Sequence, residues 1–139
     1  MQLNLQKLRA LERRHAQLEA SMSLAAAEAA EQRRNVDLLR RRFESYFSAG
    51  APCPKEIAEV WHELRFDPEA ALRAAKKYDS PGLAAIAEEL IEAQATLAQL
   101  QDEARRERAR FEASAIPLAR LHEFARQHDG KIHTGGTAA

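Results

Sequence analysis

From about Leu3 to Ser48 the chain has neither proline nor glycine, and its apolar residues recur at alternating steps of three and four. Leu8, Leu11, Leu18, Met22, Ala25, Ala29, Val36, Leu39, Phe43 and Tyr46 fall in this series, with His15 and Gln32 as polar members. A narrow stripe kept up for more than five heptads is the seam of a long helix lying along another helix. At a rise of about 1.5 Å per residue this arm reaches roughly 70 Å. His15 on the seam reads as a register-setting polar position.

Composition agrees. The 139 residues include 29 Ala and 16 Leu but only 2 Val, 5 Ile and 3 Thr. Ala and Leu lose little on entering a helix, whereas β-branched residues favour strands. An all-α chain is expected. Nearly half of its apolar residues are Ala, which bury little area, so thin helical packing or assembly with other chains fits better than a thick core.

A second arm mirrors the first. Ser80-Pro81-Gly82 is a cap-then-proline start, and the seam that follows is Leu83, Ile86, Leu90, Ala93, Leu97, Leu100, Ala104, Glu107, Phe111, Ser114, Leu118 and Leu121. Pro117 predicts a kink or short break near Ala115–Ile116. His128-Asp129-Gly130 reads as a stop, leaving residues 131–139 as a flexible tail.

The arms are joined by short elements. Gly50 with Pro52 and Pro54 ends the first arm, and a helix over 55–65 places Ile57, Val60, Trp61 and Leu64 on one face. Asp67-Pro68-Glu69 starts another over 68–78, with Ala71, Leu72, Ala75 and Tyr78 as its apolar face. The expected architecture is one module over 1–130: an elongated antiparallel helical hairpin, coiled-coil-like, with arms over 3–48 and 81–127 and a two-helix tip. Facing residue numbers then add to about 129.

Off the seam, Leu5, Leu24, Leu38, Phe47, Ile91 and Phe124 would be exposed in a lone hairpin, which points to oligomeric association. Val60, Trp61, Leu64 and Phe66 at the tip are the candidate partner-binding residues. Residues 1–49 hold nine basic and six acidic side chains and residues 83–139 hold seven and nine, so the arms attract each other.

Chemistry-bearing motifs are few. Arg33, Arg34, Arg40, Arg41, Arg42, Arg105 and Arg106 form ridges that could pair phosphates, or else a solvated coiled-coil surface. His62-Glu63 has no second histidine at helical spacing. His128, Asp129 and His133 lack a rigid scaffold for a metal. Glu88, Glu89 and Glu92 lack the Glu-x-x-His partner of a di-iron bundle. Cys53 stands between two prolines with no histidine near it in sequence, and a single cysteine excludes an internal disulfide. No serine sits on a strand-turn-helix elbow. No catalytic residue, metal or cofactor is expected.

With 21 basic and 21 acidic residues the formal net charge is zero. No apolar run approaches the roughly 18–20 residues needed to cross a bilayer, and Met1-Gln2-Leu3-Asn4 lacks the pattern of a secretory signal. The expected role is a non-enzymatic structural, assembly or adaptor protein. Its partners would be copies of itself and other proteins, in the cytoplasm or in a virus particle assembled there. Ala- and Arg-rich usage suggests a bacteriophage particle or assembly component. Nucleic-acid binding through the arginine ridges is the alternative. The layout also resembles, in architecture, the small coiled-coil stalk proteins of type III export ATPases, with the proline-capped middle helices as a departure. That resemblance implies a secretion-machinery stalk.

Overall fold

A computed structural model describes residues 5–48 and 53–138, with side chains up to residue 127. Every regular element among them is helical: α1 (Leu5–Glu44), α2 (Lys55–Glu59), α3 (Trp61–Leu64), α4 (Pro68–Lys77) and α5 (Pro81–Ala138). α1 and α5 form the expected helical hairpin. The chain divides into two compact units, one of residues 1–26 with 102–139 and one of residues 27–101. Both long helices contribute to both units.

All twelve seam positions read from each arm are buried or half-buried. In α1 the one other non-exposed residue is Glu44, and Phe47 lies just beyond the end of the helix. The pairing is antiparallel: His15 bonds Ser114 in the expected register, and Gln32 bonds the Ala93 carbonyl, about one turn from it. The period alone fixes which side of each helix faces its neighbour.

In the central unit, Val36, Leu39, Phe43, Ile57, Leu83 and Leu90 form the core with the alanines of α4 and α5. α4 starts as expected: Pro68 occupies its first turn, and the Asp67 carboxylate accepts a 3.0 Å hydrogen bond from the Ala70 amide. Ala71 and Ala75 are fully covered and pack in the core. Asp67→Ala is expected to lower stability by about 1 kcal/mol, and Asp67→Asn by a few tenths or less. Equal urea midpoints for the two variants would reject the cap.

Four details differ from the sequence reading. α1 ends at Glu44, four residues early, and 45–48 form turns in which the Ser45 amide bonds the Arg41 carbonyl. The helix expected over 55–65 is two short helices, broken at Val60 with φ −110° and ψ 12°. α5 runs unbroken through Pro117, which leaves the Ala113 carbonyl without its helical donor and stops nothing. It also continues past the expected stop at 128–130 to Ala138. The side chains of that last stretch, including His128, Asp129 and His133, lie outside the described residues, as do Gly50 and Pro52.

The turn from α4 to α5 places Asp79 at φ 51°, a left-handed conformation that Asp tolerates better than most residues. Ser80 beside it is buried, and its amide bonds the Ala75 carbonyl at 2.8 Å.

Candidate interaction surface

In the unit built from the two chain ends, the seam carries a polar layer. His15 Nδ1 lies 2.8 Å from Ser114 Oγ, and Ser114 Oγ–H donates to the Phe111 carbonyl at 2.7 Å. The hydroxyl has one proton, already given to Phe111, so its oxygen accepts and His15 Nδ1 donates. The imidazole also stacks on the Phe111 ring at 4.6 Å. Nearby, Glu12 Oε1 and His122 Nε2 are 2.9 Å apart on the exposed side. Such a pair contributes little to stability in water.

The central unit has its own polar layer. Gln32 Nε2 donates to the Ala93 carbonyl at 3.0 Å. That carbonyl already serves the ladder of α5, so replacing Gln32 orphans nothing. Gln32→Leu is therefore expected to raise the thermal midpoint by a few degrees while relaxing register. A broader mass distribution in sedimentation would accompany the gain; a lower midpoint would reject the reading.

The four tip residues separate. Trp61 is half-buried, with its ring 3.9 Å from Phe47 and 5.6 Å from Phe43. Leu64 is buried in the core. Val60 and Phe66 face outward, and Phe66 is 69% exposed with the Arg65 guanidinium 4.4 Å from its ring. The break at Val60 turns that side chain off the face that Ile57 and Leu64 share.

Of the six off-seam residues, Leu5, Leu24 and Leu38 are exposed as expected. Phe47, Ile91 and Phe124 are half-buried instead. Phe47 covers Trp61, a contact that helical spacing along one segment does not reveal.

The arginine ridges are exposed. Arg105 pairs with Asp102 one turn away, and Arg42 lies 4.0 Å from Glu89. Arg33, Arg34, Arg40, Arg41 and Arg106 form no ion pair among the described residues. On α5, Arg108 pairs with Glu112 and Arg110 with Glu107, each at 3.0 Å, so that ridge is largely neutralised along its own helix.

One feature escaped sequence reasoning. Where the α3–α4 turn lies over α1 and α5, a hollow of about 250 Å³ opens in the central unit. Phe43 and Leu90 line it with Pro68 and Phe66, and Arg40, Glu44, Arg65 and Gln94 supply polar groups. The only sequence signal was Arg65-Phe66 standing between two helices, where an aromatic has no seam to join.

Cys53 is half-buried. Among the described residues, no helix is long and apolar enough to cross a membrane, and no three metal-ligating side chains gather. Comparison with family models, with curated proteins and with solved structures finds no match for this chain.

Proposed function

We propose that this chain is a non-enzymatic assembly or adaptor protein that works by packing its helices against further chains, copies of itself included. The observation that carries this reading is the thinness of its seam towards the chain ends. There, Leu8, Leu11, Leu18, Met22 and Leu121 are only half-buried, and of the described residues in that unit Ala25 and Leu118 alone are buried. Leu5, Leu24, Leu38 and Ile116 are more than half exposed besides. A two-helix pair that leaves its leucines half in water gains stability from any third helix laid on it.

Sedimentation of the purified chain tests this directly. A multiple of 15.6 kDa is expected, with helix content that rises with concentration. A fully helical monomer at every concentration would overturn the reading. The narrower idea, a component of a bacteriophage particle, rests on composition alone.

The five ridge arginines that form no ion pair among the described residues favour a second reading, in which the ridges hold nucleic acid. Neutralising several phosphates makes affinity fall steeply with salt. Absence of binding to duplex and single-stranded DNA or RNA at low salt would dispose of it. The secretion-stalk reading has the hairpin layout in its favour and no motif.

A further inference from the structure

Phe66 is the most exposed large apolar side chain among the described residues, and it forms one wall of the hollow that Phe43 and Leu90 line. A protruding ring and a vacant recess, floored by the buried Phe43 and Leu90 and walled by Arg40, Glu44, Arg65 and Gln94, therefore sit side by side on one molecule. The recess, at about 250 Å³, falls below the range of roughly 300–1,000 Å³ typical of small-molecule sites. Its size suits one aromatic side chain.

The charges around it are also two-sided. Arg40 and Arg65 line the recess and neither forms an ion pair among the described residues. Glu44 offers one carboxylate on the same rim, which leaves an excess of one positive charge there. Phe66 is followed directly by Asp67, an exposed residue whose carboxylate caps α4. The other aromatics that adjoin a carboxylate are Phe43, Tyr78, Phe111 and Phe124, and all are buried or half-buried. Phe66–Asp67 is thus the aromatic–acid pair on this chain that is free to enter another molecule.

We propose that a second copy of this chain docks here reciprocally. Each Phe66 enters the other copy's recess, and each Asp67 faces the other copy's Arg40. A surface that carries both the knob and the hole is self-complementary about a two-fold axis, as isologous pairing requires. This deepens the self-assembly reading and rests on it. One ring and one charge pair are far smaller than a standard interface, so the contact anchors a weak dimer rather than a permanent one.

The test is sedimentation equilibrium of the intact chain from about 10 μM to 1 mM, a span chosen for a weak complex. Phe66→Ala is expected to weaken self-association at least about tenfold, as loss of a central aromatic anchor does. Phe66→Tyr should retain most of it. Asp67→Asn keeps the α4 cap yet removes the charge, so it should weaken association at least about threefold with unchanged helix content. Arg40→Glu should do the same. If the chain associates but Phe66→Ala and Arg40→Glu leave the association constant unchanged, this site is wrong and self-assembly stands through another face. If the unmodified chain is monomeric throughout, both fall. If it is monomeric alone and an acidic partner protein binds at Phe66, a foreign occupant replaces the second copy and the proposal is overturned.

Discussion

Phe43→Ala is expected to lower the stability of the central unit by about 3–5 kcal/mol, the usual cost of emptying a fully buried aromatic site. The ring is 1% exposed and joins the core formed by Val36, Leu39, Leu83 and Leu90. It also holds Trp61 at 5.6 Å, so its loss loosens α3 as well as the helical pair. Domains of this size are stable by about 5–15 kcal/mol, so the variant loses a large part of what holds it together. Urea unfolding followed by circular dichroism measures the change. Leu38→Ala, five residues earlier and 63% exposed, serves as the comparison and should stay within about 0.5 kcal/mol of the parent. Near-equal losses for the two variants would mean that the core is placed wrongly.

Ile57→Ala should be the next most damaging, at about 2–5 kcal/mol, but its effect is local. α2 has only five residues, far too few to persist as an isolated helix. What holds it is Ile57, which has no exposed surface, together with backbone bonds such as Ala58 N–H to the Pro54 carbonyl at 3.1 Å. Without that anchor the segment should open before the long helices do. Amide exchange is the discriminating measurement. The Val60, Glu63 and Leu64 amides should lose protection while those of α5 near Leu90 keep theirs. Uniform loss across both would show that the connector and the long pair open as one unit.

The seam was readable because its information is local. Each of Leu8, Leu39, Leu83 and Phe111 is placed by its spacing from the next apolar residue, and spacing is written in the chain. The cap at Asp67 and the start of α5 at Pro81 were readable for the same reason. Phe47, Ile91 and Val60 were not. Whether Phe47 is covered depends on Trp61, which approaches only once the connector folds back. Whether Val60 is covered depends on a backbone break that has no proline or glycine to announce it. The hollow beside Phe66 is harder still, since its walls come from three separate segments and none of them has an unusual composition.

The interleaving of the two units governs the order in which the chain can assemble and come apart. Ala27–Gln101 is a single uninterrupted stretch, so its contacts close shorter loops than those of the other unit, 61 residues for Gln32–Ala93 against 99 for His15–Ser114. The other unit draws its two halves from opposite ends of the chain, and what keeps those halves within reach is the folded stretch between them. Melting the middle releases a long tether and dilutes one half relative to the other, at a loop-closure cost somewhat greater than that of the middle's own contacts. Fraying the ends leaves the middle's own loops closed. Damage should therefore spread outward from Phe43 more readily than inward from Leu8.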